Sequence, residues 1–415
     1  MPPTAPIELL APAGSFESLQ AAIQAGADGI YFGVEQLNMR ARATSNFKLA
    51  DLKKIATICH KNNIKAYLAL NTILYDHDLQ LTNKICLAAK KANIDAAIVS
   101  DIAAMTIARK HNLTVHISTQ ANVSNIEAVK FYAQFADTIV LARELTLQQI
   151  KAITHAIKQE NIRGPNKELI KIEIFIHGAL CVAISGKCYM SLATSNASAN
   201  RGACLQNCRK AYIVTDEETG EQLKIENKYV MSPSDLCTIE FLDKLVESGA
   251  TIFKIEGRAK GPEYVYTTTK VYKEALDSIL QDTYGKTKIQ AWLAHLQSVY
   301  NRGFWQGGYY LGKKINEWSA AYGSKATHEK IGVGYILNYF SKPNVAEIQL
   351  QESDLFVGDK IIITGPTTGI IESTVNTIFL NNQIVTTARQ GSSVTINVVS
   401  KVRKNDRVFK IKERK

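Results

Sequence analysis

The 415-residue sequence has no window approaching the roughly 18 uninterrupted apolar residues that a membrane-spanning helix needs. Its opening, MPPTAPIELLAPAG, lacks a basic stretch followed by a long apolar run, so no secretory leader is read and a cytoplasmic location is expected. Long low-complexity tracts and clear internal repeats are missing too. So is His-Glu-x-x-His, the helical signature of many zinc proteases. Cysteine is sparse, at seven residues, but five of them (Cys181, Cys188, Cys204, Cys208 and Cys237) fall between positions 181 and 237, and only Cys59 and Cys86 lie elsewhere. In a reducing compartment such crowding argues for metal or redox chemistry rather than structural disulfides.

What is present is apolar material and positive charge. With 46% hydrophobic residues the chain can bury a large core, and its length suggests two domains. Lys and Arg number 49 against 38 Asp and Glu, a formal net charge of +11, so the molecule should attract polyanions such as nucleic acid. Much of the surplus lies in KVRKNDRVFKIKERK, residues 401–415, readable either as a solvated tail or as an RNA-binding segment.

From the N-terminus, short apolar runs alternate with amphipathic segments, the pattern of a parallel sheet covered by helices. Strands are read at Ile7 to Leu10, Gly29 to Phe32, Lys65 to Leu70, Ala96 to Ser100, Thr114 to Ser118, Thr138 to Leu141, Lys171 to Ile176 and Thr251 to Ile255. Eight such units predict a (β/α)8 barrel of the triosephosphate-isomerase type, with a doubly wound open sheet as the alternative. In a barrel, residues just past the strand ends face the active-site mouth. Here these are Asn71, Asp101, Gln120, Arg143, Glu144, His177, Glu256 and Arg258, with Arg40 and Arg42 past the second strand. His177 reads either as a catalytic group or as a satisfied histidine at a strand end. Glu256 and Arg258 read either as an ion pair bracing a turn or as a holder of an anionic ligand, and Arg40 and Arg42 pose the same choice.

Between the seventh and eighth strands the chain detours from Gly178 to about Met231, so the barrel would carry a cysteine-bearing insertion at about 178–237 on its mouth. A helical segment is expected from Gly261 to about Lys314, completing a first domain of residues 1–328. Short alternating runs from Glu329, such as VAEIQLQ and DKIIITGP, predict a small, basic antiparallel β-barrel over 329–415.

Thiolates suit zinc or iron–sulfur clusters, and either needs about four converging ligands. The gaps between the five clustered cysteines hold six, fifteen, three and 28 residues. Only Cys204 and Cys208 form a close pair, so a cluster gathered from a long loop fits better than a zinc ribbon. One of the five is spare.

EIFIHGALCVAISGKCYMS, with NRGACLQNCRKAY, MSPSDLC, FKIEGRAKGPEYV, NRGFWQGGYY and the opening ELLAPAGSFESLQAAIQAGADGIYFG, resembles peptidase family U32, the collagenase-like peptidases. The resemblance covers most of residues 7 to 310, and in length and layout it is nearest to the tRNA-uridine hydroxylation proteins of that family. It implies an RNA-modifying enzyme with an iron–sulfur cluster, expected as 4Fe-4S, that hydroxylates the wobble uridine of tRNA to 5-hydroxyuridine with prephenate as co-substrate. Carried over, the cluster ligands would be Cys181, Cys188, Cys204 and Cys237, with Cys208 the fifth. Catalytic candidates are then His177, Glu256 and Arg258, and the dicarboxylate candidates are Arg40, Arg42 and Arg143. Action on ribosomal RNA and peptidase activity, for which Cys181 with His177 is the tempting pair, are the alternatives.

Overall fold

The computed structural model describes residues 6–414 except 43–45, 224–230, 307, 313–317 and 320–322. Its first part alternates β1 (Glu8–Pro12), α1 (Phe16–Gln24), β2 (Gly29–Phe32), α2 (Leu52–Lys61), β3 (Lys65–Leu70), α3 (Leu79–Lys91), β4 (Ala96–Val99), α4 (Ile102–Lys110), β5 (Val115–Ile117), α5 (Ile126–Ala133), β6 (Thr138–Val140), α6 (Leu147–Gln159) and β7 (Lys171–Gly178). The insertion follows, with α7 (Met190–Ser195) and a ribbon of β8 (Val214–Thr215) and β9 (Gln222–Leu223). The chain then returns through β10 (Asp235–Cys237), α8 (Leu242–Val246), β11 (Ile252–Ile255), α9 (Pro262–Leu280), α10 (Lys286–Ser298) and β12 (Phe304–Gln306). Strands β1 to β7 and β11 pair in parallel, and β11 bonds to both β1 and β7, closing the expected (β/α)8 barrel.

Local sequence explains the regularity. Ser15 caps α1 by accepting from the Ser18 amide, and Thr146 and Gln149 form a reciprocal capping box on α6. After α2, α3, α4 and α6 the chain turns through Asn63, Asn93, Asn112 and Asn161, all at positive φ, so one left-handed asparagine ends each helix and redirects the chain toward the next strand. Barrel strands such as β2 and β4 are buried along their whole length, as expected when side chains fill the interior and helices cover the outside. Inside, Lys254 Nζ meets Glu173 Oε1 at 2.7 Å, an ion pair enclosed on every side. Below it, Tyr67 donates to Glu8 at 2.7 Å.

At the mouth, β7 runs past the barrel and pairs antiparallel with β10, setting Cys237 opposite His177, and β12 extends this rim. The stretch read as helical to Lys314 therefore changes character. Helix α10 ends at Ser298, the chain turns at Gly303 (φ +81), and Phe304–Gln306 joins the sheet. Lys314 itself lies outside the described residues.

The C-terminal unit holds β13 (His328–Phe340), β14 (Val345–Leu350), β15 (Leu355–Phe356), β16 (Lys360–Gly365), β17 (Gly369–Thr374), β18 (Ile378–Leu380), β19 (Gln383–Val385), β20 (Thr387–Ala388), β21 (Ser393–Asn397) and β22 (Arg407–Glu413). Eight of these strands form one antiparallel sheet in the order β17-β16-β22-β13-β14-β21-β18-β19 around a separate core of Val333, Ile348, Ile363 and Val408. The run DRVFKIK in the basic segment forms most of β22, a strand as its alternation predicts, and it lies inside the sheet, bonded to β13 and β16. This unit docks on the barrel's outer helices. Gln24 of α1 donates to the Thr368 carbonyl and accepts from the Ile370 amide, both at 2.9 Å, while Ala21 packs on Ile362 and Ile370. No described helix is long and apolar enough to cross a membrane.

Candidate functional site

The floor of the mouth is built around Glu256, just past β11. Arg40 Nη2 reaches its Oε1 at 3.0 Å, and Tyr31 donates to its Oε2 at 3.1 Å. Burial alone would raise this carboxyl, but Arg40, Arg143 and Arg258 overcome it and bring its pKa down to about 2. Arg143 stacks on Phe175, 3.8 Å from guanidinium carbon to ring centroid, and donates to the Ala179 carbonyl at 3.0 Å. Arg258 is 5% exposed; its Nη1 donates to Asn38 Oδ1 at 3.1 Å, and its buried Nε finds no acceptor among the described residues. Three guanidiniums thus surround one carboxylate, leaving a local excess of positive charge at the barrel axis. A small cavity of about 50 Å³ lined by Arg40, Arg143, Glu256 and Arg258 lies there.

Above it opens a larger cleft, about 170 Å³, lined by Cys181, Cys188, Cys204 and Cys208 together with Arg40, Arg143 and Glu256. Two glycines bring the loop this close. Gly178, at φ +105, passes against the Glu256 carbonyl, and Gly202, at φ +84, against the Asn38 carbonyl; a Cβ at either would collide with backbone. Arg201 then pins the loop to the barrel through Asp78 at 2.7 Å, and Asn207 reaches Thr194 Oγ1 at 2.5 Å. Burial raises the Cys208 thiol, Arg209 opposes this, and the nearby Cys181, Cys204 and Cys188 push it up further.

The predicted residues divide accordingly. Arg40, Arg143, Glu256, Cys181, Cys188 and Cys204 line the main cleft, and Arg258 joins the smaller cavity beneath it. Cys237, expected as the fourth ligand, does not line the cleft. Its strand pairing turns it inward, where it is 1% exposed, receives the Tyr272 hydroxyl at 3.9 Å and has its pKa pushed up to about 12 by burial. Cys208 occupies the cleft wall instead. His177 is likewise enclosed, among Tyr264, Tyr272 and Phe304; its Nδ1 lies 3.3 Å from the Tyr272 hydroxyl, and burial drives its pKa down to about 3. It makes no hydrogen bond to Cys181 among the described residues, so the thiolate–imidazole pair of a cysteine protease is not formed. Arg42 is exposed and outside both cavities. Of the two readings of Glu256 and Arg258, the bracing ion pair is not formed directly, because Arg40 is the carboxylate's direct partner. Sequence reasoning missed Tyr31, Asn38, Arg209, Lys260 and Arg302; Tyr31, Arg209, Lys260 and Arg302 stood in quoted motifs, hidden by the emphasis on cysteine and strand ends.

Among the described residues no three His, Cys, Asp or Glu side chains approach closely enough to hold a single metal ion. A polynuclear cluster is less demanding, since its own irons and sulfides stand between the ligands and hold the thiolates farther apart than one ion would. The donor set of Cys181, Cys188, Cys204 and Cys208, all sulfur and all on one cleft, fits such a group in number and softness.

The sequence profile of peptidase family U32 matches residues 14–320. The chain belongs to peptidase family U32. Among its U32 relatives, a protein named collagenase from Porphyromonas gingivalis is 51% identical over 98% of each chain. The tRNA hydroxylation protein P1 of Bacillus subtilis is 30% identical over 90% of this chain and 86% of its own. The 23S rRNA 5-hydroxycytidine C2501 synthase of Escherichia coli is 36% identical over 66% of this chain and 40% of its own.

Proposed function

We propose that this U32 protein hydroxylates RNA, with the wobble uridine of tRNA as substrate, 5-hydroxyuridine as product and prephenate as co-substrate. The observation that carries the reading is the sharing of one cleft by four cysteines and the arginine-ringed Glu256. Relatives named for tRNA and rRNA hydroxylation support the substrate class. In this reading Cys181, Cys188, Cys204 and Cys208 would hold an iron–sulfur cluster of the 4Fe-4S type. Such a group supplies one-electron chemistry when bound.

The protein's own residues have distinct tasks. Arg258, with a buried donor left over, and Arg143 bind the carboxylates of the metabolite, since guanidinium–carboxylate forks fix orientation as well as charge. Glu256 stays ionised and holds Arg40 across the mouth. The cysteine loop roofs the cavity and limits water. Peptidase action, suggested by the name of the 51% identical relative, would need a nucleophile paired with a base, and the enclosure of His177 argues against that pair.

Mass spectrometry of nucleosides from tRNA and rRNA of a deletion strain tests the proposal. Loss of 5-hydroxyuridine and its derivatives from tRNA, restored by the wild-type gene, is the expected result. An unchanged nucleoside profile, together with cleavage of a gelatin or collagen substrate by the pure protein, would replace it with the peptidase reading.

A further inference from the structure

Three cations on the cysteine cleft have no part in the roles above: Arg209, Lys260 and Arg302. They come from separate places in the fold. Arg209 follows Cys208 in the insertion, Lys260 lies in the loop between β11 and α9, and Arg302 lies between α10 and β12. Arg209 is fixed by donating to the Leu180 carbonyl at 2.7 Å and Ser232 Oγ at 3.2 Å. Arg302 stands 3.4 Å from Asp235 Oδ1. The Lys260 ammonium rests 2.9 Å from the centroid of the Tyr300 ring and donates no hydrogen bond among the described residues.

Such crowding is unfavourable without an anion. Burial and then Arg302 lower the Lys260 pKa to about 7, Arg209 adding to the effect while Asp235 and Glu256 oppose it. The place matters as well. In (β/α)8 barrels the loops after the seventh and eighth strands frequently hold phosphate groups. Lys260 belongs to the loop after the eighth; the first turn of α9 that follows is already faced by the Glu263 carboxylate, so the cations rather than the helix terminus carry the site.

We propose that Arg209, Lys260 and Arg302 form a phosphodiester subsite, seating a backbone phosphate of the RNA beside the nucleotide whose base enters the cysteine cleft. The proposal rests on the RNA reading above. It separates two anion sites by depth: carboxylates of the small metabolite at the barrel axis with Arg143 and Arg258, and the polymer's phosphate at the rim. Lys260 and the arginine forks supply both a point charge and directed donors, and the Tyr300 face under Lys260 keeps the ammonium from folding away.

The probe is UpU, whose single phosphodiester does not titrate near neutral pH, with uridine as control, on the full-length protein purified anaerobically. At pH 8 Lys260 is largely neutral, so binding the phosphate should draw a proton onto it; titration calorimetry in buffers of different ionisation enthalpy should record an uptake approaching one proton. UpU should bind more tightly than uridine. Lys260→Met should weaken UpU by about tenfold or more, the loss of one charge-assisted contact, and abolish the uptake. Lys260→Arg should keep most of the affinity yet show no uptake, which a merely damaged fold would not do. UpU binding no better than uridine, or with equal affinity and no uptake in wild type and Lys260→Met, would overturn the subsite. Because these readouts need no turnover, the subsite can stand even where the nucleoside profile of the deletion strain removes the hydroxylase reading.

Discussion

Arg40 and Glu256, 216 positions apart in the chain, meet at 3.0 Å between Nη2 and Oε1 across the mouth of the barrel. The carboxylate is held at about 2 although burial works against it, so its charged form belongs to the folded state. A carboxyl whose folded pKa is depressed stabilises the fold above its unfolded pKa and loses that contribution as pH falls toward the folded value. For Glu256 the window runs from about pH 5 down to about 2 and corresponds to roughly 3 kcal/mol. Glu256→Gln should therefore be less stable than wild type at pH 7 in urea unfolding, with the two curves converging as the pH approaches 2. A difference independent of pH would mean that the loss is one of packing.

Arg258 should be a binding residue rather than a brace. It does not pair directly with Glu256; it donates to Asn38 and keeps a buried Nε to spare. Arg258→Lys preserves the charge but not the planar fork. At limiting prephenate, hydroxylation should fall by about 10- to 100-fold, with the larger change in apparent KM, while iron content stays at the wild-type level. Full activity in this variant would move the carboxylate site to Arg40 and Arg143.

How far the chain could be read from its sequence follows from what carries each signal. Strands β2 and β3 were legible to the residue because a buried parallel strand is a near-continuous apolar run bounded by turn residues, broken in β3 only by the exposed Lys65 at its start. Arg40, Arg143, Arg258 and Glu256 were legible, though Arg42 was not, because position past a strand end fixes proximity in a closed barrel. That Cys208 lines the cleft while Cys237 turns inward was not legible, since it depends on β10 turning back antiparallel on β7, a non-local pairing with no local sequence mark. The burial of His177 was hidden for the same reason: its neighbours Tyr264, Tyr272 and Phe304 come from 87 or more positions away along the chain. The run DRVFKIK was legible as a strand because apolar residues recur along it; what its charge hid is that Lys410 lies inward beside Val408, burying its stem while donating to the Asp354 carbonyl.

The cysteine assignment can be decided by comparing two single substitutions. Cys208→Ser should abolish visible absorbance and bound iron after anaerobic purification, because it removes a sulfur from the cleft. Cys237→Ser should retain both, with a stability loss of about 1–2 kcal/mol from placing a hydroxyl in an enclosed site. Cys237→Ser losing the iron while Cys208→Ser keeps it would mean that β10 rotates its thiol toward the cleft when the cluster assembles.

The last prediction concerns the C-terminal sheet as an RNA-holding surface. Its basic residues are not equivalent. Arg403 donates to Thr368 Oγ1, Arg407 pairs with Glu352, Lys410 is buried and Arg414 donates to the Ser324 carbonyl, so these four serve the domain itself or its junction with the barrel. Lys401, Lys404 and Lys412 are exposed and form no ion pair among the described residues. If the sheet contacts RNA, these three meet phosphate, and each phosphate contact adds roughly 0.7–0.9 to the slope of log affinity against log salt. Replacing all three with Glu should lower that slope by about 2 and weaken tRNA binding at low salt, leaving thermal stability and iron content unchanged. Deleting residues 401–415 is a poorer test, because it removes β22 from between β13 and β16 and takes the domain's core with it. An unchanged slope in the triple variant would place the phosphate contacts on the barrel, with the rim cations Arg209, Lys260 and Arg302 as the first to examine.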